Sequence, residues 1–85
     1  MKIRLRLGNV PNLIHIDIFN ELETIIDYCW AVYNTSHNQY TIRLLNDHQQ
    51  LIDILIKENI CTIINSNETD IIILALTKSA LLQVI

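Results

Sequence analysis

The chain has very few residues that interrupt regular backbone structure: its 85 residues include one glycine and one proline. Both lie in the stretch GNVPN at positions 8–12. Pro11 cannot donate a hydrogen bond to a strand ladder, and Gly8 and Asn12 tolerate a positive φ. We therefore predict a tight turn at this stretch.

Charge is also scarce, since 18% of the residues are charged and 51% are hydrophobic. This composition excludes a disordered tail, and the length fits a single domain covering residues 1–85. So much apolar surface exceeds what a small monomer usually buries, and we therefore expect a homo-oligomer. The formal net charge of −3 argues against nucleic-acid binding, because phosphate contacts need a basic field.

Cysteine is limited to Cys29 and Cys61, each among apolar neighbours. This pattern favours buried free thiols over a disulfide, and a reducing, cytoplasmic location. Long hydrophobic runs are absent as well. The apolar tract at residues 71–76 is far shorter than the roughly 20 residues that span a bilayer, so we expect no membrane association.

Regular alternation of polar and apolar residues predicts the first strand, at residues 2–7. One side of it carries Ile3, Leu5 and Leu7, and the other carries Lys2, Arg4 and Arg6. The basic side is either a solvated outer face or a dock for an acidic protein partner, and Arg43 on another strand could extend it. The predicted interaction residues are Lys2, Arg4, Arg6 and Arg43.

The stretch at residues 13–24 fits two structures. As a helix, it places Ile14, Ile18, Leu22 and Ile25 on one face. As a strand, it alternates in LIHIDI, and Asn20 with Glu23 then forms a capping box for a helix at residues 21–33. The residues alone do not decide between the two.

The rest of the chain is clearer. Residues 39–45, QYTIRLL, predict a strand that follows a polar turn at 34–38 and could pair with residues 26–33 in a hairpin. Helical spacing of apolar residues predicts a helix at 47–58, which Asn59 can stop. Short strands are then expected at 61–64 and 70–77, with a turn at 65–68 between them, and an apolar tail at 79–85.

Three stretches together resemble the ACT domain, a small ligand-binding module of amino-acid metabolism. They are LRLGNVPNLI, IIDYCWAVYN and YTIRLLNDHQQLIDILIKENICTI, and they cover about residues 2–65. The resemblance implies a helix at 13–24 and an α+β fold, a ferredoxin-like βαββαβ two-layer sandwich with an extra C-terminal strand. The alternative is a ubiquitin-like or PB1-like β-grasp, in which GNVPN is only a hairpin turn.

The resemblance also implies a ligand site. In that family the first loop lies at a subunit interface and helps to bind an amino acid. Carried over to this chain, the ligand-binding residues are Asn9, Val10, Asn12 and Leu13. One departure is that Asn12 stands where the family's turn has a glycine, so a side chain projects where the ligand would approach.

Catalysis, a metal site and a cofactor are not predicted. His15, His37 and His48 show no paired ligand spacing with each other or with the cysteines, and neither cysteine has the polar setting of a nucleophile. We expect a non-enzymatic, ACT-like regulatory or sensing domain, dimeric through a sheet edge or the C-terminal tail. The alternative is a small protein-interaction adaptor or inhibitor, of a phage, plasmid or PB1-like type, with no metabolite ligand.

Overall fold

The computed structural model describes residues 1–65 and 70–85. Within these residues the chain forms one antiparallel sheet of six strands, together with two short helices. The elements in chain order are β1 Lys2–Leu7, β2 Leu13–Phe19, β3 Ile25–Asn34, β4 Gln39–Leu45, α1 Gln49–Lys57, β5 Cys61–Asn65, β6 Ile71–Leu76 and α2 Lys78–Leu81.

The first four strands follow one another as a meander, and the sheet order is β1-β2-β3-β4-β6-β5. The strand β6 therefore lies between β4 and β5, and α1 makes the connection from β4 to β5. Tight turns join the strands of the meander. Between β1 and β2, the N–H of Gly8 donates to the carbonyl of Leu13 at 2.9 Å. Between β2 and β3, the Asn20 side-chain oxygen accepts from the N–H groups of Leu22 and Thr24.

The sheet has two unlike faces, because side chains alternate along each strand. The covered face packs against both helices, and its buried residues on β2 are Ile14, Ile16 and Ile18. The same core includes these residues of the other elements: Leu5, Cys29, Ala31, Ile42, Leu51, Ile52, Leu55, Cys61, Leu74, Leu76 and Ala80. We call the opposite side the open face, and on β1–β3 it carries Arg4, Arg6, His15, Asp17, Tyr28, Trp30 and Val32.

The ferredoxin-like βαββαβ prediction is wrong, because the described chain is mostly antiparallel sheet. Residues 13–19 form β2, not a helix, and they pair with β1 on one side and β3 on the other. The β-grasp alternative gives the β1–β2 hairpin correctly, but its helix at 21–33 is also wrong. Asn20 and Glu23 close a turn in which Glu23 has a φ of 61°, and a strand follows at Ile25.

Other predicted elements are confirmed. The strand at 2–7 matches β1, the strand at 39–45 matches β4, and the predicted helix at 47–58 contains α1. Asn59 follows the helix with a φ of 59°, as a residue that stops a helix can. Strands β5 and β6 lie within a residue of the predicted ones. The predicted turn at 65–68 lies, after its first residue, outside the described part of the chain.

The C-terminal residues belong to the fold of this chain. Ala80 of α2 is fully buried, and Val84 packs against the core. The last residue extends the sheet edge, since the N–H of Ile85 donates to the carbonyl of Leu5 and the N–H of Leu7 donates to the carbonyl of Ile85, both at 3.1 Å. Across residues 1–65 and 70–85, neither helix has the length and apolar character needed to cross a membrane.

Candidate interaction surface

A carboxylate held by two arginines lies on the open face of β1 and β2. The strand register places Arg4 directly opposite Asp17. The Arg4 guanidinium and the Nε of Arg6 both donate to Oδ2 of Asp17, each at 3.1 Å. The side chain of Asp17 is only 7% exposed, whereas the arginines are 44% and 46% exposed. The carboxylate thus fixes both arginines and leaves part of each in contact with solvent.

Two opposing effects act on the pKa of Asp17. Burial raises it, because a charged carboxylate loses hydration. The hydrogen bonds and positive charges of Arg4 and Arg6 lower it, and the pKa lies below its ordinary value of 3.8. Asp17 is therefore ionised at neutral pH.

Beside this cluster, β3 presents a row of aromatic and apolar side chains. Tyr28, Trp30 and Val32 are 58%, 49% and 51% exposed. Trp30 makes edge-to-face contacts with Tyr28, at 5.5 Å between ring centroids, and with His15 on β2, at 6.2 Å. Large exposed apolar side chains grouped on one surface are typical of protein interfaces. Tyr28 and Trp30 therefore lie on the surface and do not fill the core.

A cleft opens beside the same row, because β3 and β4 stop pairing part of the way along. Their register ends at Val32↔Thr41, but β3 pairs with β2 as far as Ile25, and β4 pairs with β6 as far as Leu45. Between the two strands lies a cavity of about 380 Å³. Its lining residues are Asp27, Tyr28, Cys29, Trp30, Ile42, Arg43, Leu44, His48 and Leu51.

The residues predicted to bind an amino acid lie in the β1–β2 hairpin, away from this cleft. Asn9, Val10 and Asn12 are exposed in the loop, and Leu13 begins β2. The structure has a strand after this loop instead of the helix that the ACT resemblance implied. Asn12 has a φ of 63°, a left-handed conformation that asparagine tolerates.

Gly8 does not use its tolerance of a positive φ, because its φ is not positive. Its lack of a side chain provides space instead. A Cβ at this position would lie 2.9 Å from Cδ2 of Leu13 and 3.2 Å from Nε2 of His15. A side chain at this position would therefore require the side chains of Leu13 and His15 to shift.

The predicted interaction residues share the open face. Lys2, Arg4 and Arg6 project from the same side of β1, and the register places Arg43 of β4 on the same side of the sheet. Asp17 was not predicted as part of the basic surface. One signal could have identified the row of Tyr28, Trp30 and Val32. It was the alternation in YCWAV, where small residues at 29 and 31 separate these larger side chains.

The two cysteines are free and buried, as predicted. Burial raises the pKa of each thiol to about 12, and for Cys29 nearby negative charges add to the effect. Both thiols are therefore protonated at neutral pH, and thiolate chemistry is unfavourable at them. Within residues 1–65 and 70–85, His, Cys, Asp and Glu form no group of three or more that could hold a metal ion.

Comparisons with known proteins give no further guide: no family model, curated protein or solved structure matches the chain significantly.

Proposed function

We propose that this chain is a non-enzymatic protein-binding domain, an adaptor or small inhibitor, that contacts its partner through the open face of β1–β3. One observation carries the proposal. Tyr28, Trp30 and Val32 form an exposed apolar row on a regular sheet, and the arginine pair fixed by Asp17 lies beside it.

The side chains of this surface suit a protein partner. Trp, Tyr and Arg are enriched among the residues that contribute most to binding energy at interfaces. Contacts with His15 and Tyr28 restrict the indole of Trp30 before binding, which lowers the entropic cost of association. Arg4 and Arg6 are about half exposed, and they retain N–H donors for a carboxylate of the partner.

An amino-acid-sensing role drew its support from the ACT resemblance and the fold that it implied. With that fold corrected, the loop at 8–12 connects two strands of a hairpin, and we do not extend the role to it. The expected homo-oligomer, through a sheet edge or the C-terminal tail, stays a prediction.

Affinity capture with matched variants tests the proposal. The bait is the purified chain, and the source is a lysate of the cells in which the protein occurs. Trp30→Ser removes the centre of the apolar row, and Leu22→Ser is the control, because Leu22 is 85% exposed in the β2–β3 turn. We expect recovery of a specific partner to fall by at least about tenfold with Trp30→Ser and to be unchanged with Leu22→Ser.

Circular dichroism and melting temperature establish that both variants are folded. Equal recovery with the wild type and with Trp30→Ser would contradict an interface centred on β3.

A further inference from the structure

We propose that the cleft between β3 and β4 binds an extended, basic peptide segment, which adds a strand along the cleft side of β3. The inference rests on the proposed function for the existence of a protein partner, and it goes further by naming the form and charge of the segment bound. The supporting features are the direction of the β3 backbone groups, the apolar floor of the cavity and the charges around its end.

The backbone of β3 presents hydrogen-bonding groups to the cleft. The N–H of Tyr33 donates to the carbonyl of Asn12, on the β2 side of the strand. Backbone groups of successive strand residues point to opposite sides, so those of Tyr28 and Trp30 point to the β4 side. There the N–H of Tyr28 donates to Oδ1 of its neighbour Asp27 at 2.8 Å.

The bond between Tyr28 and Asp27 shows how this part of β3 differs from a paired strand. The Asp27 carboxylate accepts from the N–H of Tyr28. In a continuous sheet, this N–H would donate to a carbonyl of the neighbouring strand. A peptide backbone laid along the cleft offers a carbonyl to the same N–H, and it releases the Asp27 carboxylate for a basic side chain. This is strand addition, in which main-chain bonds provide affinity and pockets for alternate side chains provide specificity.

The floor of the cleft is apolar. It includes Cys29, Ile42 and Leu51, which are 5%, 1% and 3% exposed and belong to the core. The cavity of about 380 Å³ lies within the usual size range of ligand pockets. Since side chains alternate along a bound strand, one apolar side chain of the peptide can enter this cavity while its neighbours point to solvent.

The end of the cleft near the start of β3 is acidic. Asp27 and Asp47 line a depression that adjoins the main cavity at His48 and Leu51. Asp47 also lines a further depression together with Asp70. The chain as a whole carries a net charge of −3. A Lys or Arg of the peptide is complementary to this end, and an acidic residue would be repelled there. Arg43 lines the main cavity, so the basic side chain is assigned to the acidic end and an apolar one to the cavity itself.

Selection from displayed random peptides of about twelve residues tests the inference, with the wild-type chain as the target. The deciding variant is Tyr28→Pro, which removes the cleft-facing N–H without removing a donor to β2. Tyr28→Ala is its matched control, because it loses the same side chain but keeps the N–H.

We expect selected peptides to alternate apolar and polar residues and to contain Lys or Arg. A synthetic copy of the strongest peptide should bind Tyr28→Pro at least about tenfold more weakly than Tyr28→Ala, whatever the loss of the tyrosine side chain itself costs. Two further copies of the same peptide carry N-methyl groups on the backbone of either the odd or the even residues. One of these two copies should bind about tenfold or more weakly than the unmethylated peptide, because its methyl groups replace the N–H donors that face β3. This second comparison decides the question if Tyr28→Pro does not fold.

Three results would overturn the inference: no peptide is selected, the peptide binds Tyr28→Pro and Tyr28→Ala equally, or neither set of backbone N-methyl groups weakens binding. Selection of acidic peptides would overturn its charge assignment. Loss of the cellular partner with Trp30→Ser, without a peptide that needs the Tyr28 N–H, would leave the proposed function standing and remove this inference alone. If a peptide that needs the Tyr28 N–H binds, but the cellular partner is not lost with Trp30→Ser, this inference stands and the interface centred on β3 is removed.

Discussion

The covered and open faces of the sheet use the same strands for different purposes. On β3, Cys29 and Ala31 point into the core, whereas Tyr28, Trp30 and Val32 point outward. The small side chains lie inside, and the large aromatic ones are about half exposed. In a strand shaped only by stability, the larger apolar residues would be the buried ones, since they gain most from burial. This reversed arrangement is the reason for our proposal that the open face contacts a partner.

The largest expected difference between the faces is in stability. Ile16 is fully buried on the covered face, so Ile16→Ala should lower the free energy of unfolding by about 2–5 kcal/mol. Trp30→Ala on the open face should lower it by less than Ile16→Ala does, because the indole is half exposed. Urea unfolding of both variants checks this, and Ile16→Val, expected to cost about 0.5–1.5 kcal/mol, replaces the alanine variant if that does not fold. Equal losses on the two faces would mean that Trp30 is part of the core.

A smaller effect concerns Asp17, the buried charge of the open face. Asp17→Asn should lower the free energy of unfolding by about 1–3 kcal/mol at neutral pH, because it weakens two charged hydrogen bonds. The pKa of Asp17 is lowered in the folded state, so its ionised form stabilises the fold above the ordinary value of 3.8. That stabilisation is lost as the pH falls through 3.8 towards the lower folded pKa.

Urea unfolding at neutral pH and near pH 3 measures this dependence on the wild type and on Asp17→Asn. The difference between the two proteins should shrink at the acidic pH. Glu21→Gln, in the exposed β2–β3 turn, is the control and should change little at either pH. A difference that stays constant with pH would exclude Asp17 ionisation as its cause.

The smallest effects should come from the hairpin loop, which contributes to neither face. Asn12 has a φ of 63°, so Asn12→Val should lower stability by about 1–2 kcal/mol, because a β-branched residue resists that conformation. Asn12→Gly should leave stability unchanged or raise it by less than about 1 kcal/mol. Thermal unfolding measures both changes, and partner capture should be retained by both. Loss of the partner with Asn12→Gly would return a binding role to the loop.

Local pattern was enough to predict several elements of this fold. Residues 2–7 and 39–45 alternate without a competing period, and the apolar spacing at 47–58 fits only a helix. At 13–24 two periods fit the same isoleucines. The decision came from distant partners, since Ile16 pairs with Leu5 on one side and Cys29 on the other. Such pairing is not encoded in the local spacing of the stretch.

The candidate site was less predictable than the fold. Lys2, Arg4 and Arg6 could be assigned to one side of a strand, but the register alone shows that Asp17 lies opposite Arg4. The cleft arises because β4 pairs with β6 beyond the point where it leaves β3. Since β6 is distant in sequence, no motif within β3 or β4 predicts this opening.

The alternation along β3 has a consequence for how the chain can change over generations. Substitutions at Tyr28, Trp30 and Val32 alter the exposed row without directly altering the packing of Cys29 and Ala31. The two sets of side chains lie on opposite faces of the sheet, so the outward-facing positions can change under their own selection. A lineage could therefore acquire a new partner through a few outward-facing substitutions, while the buried half of the same strand keeps the sheet intact.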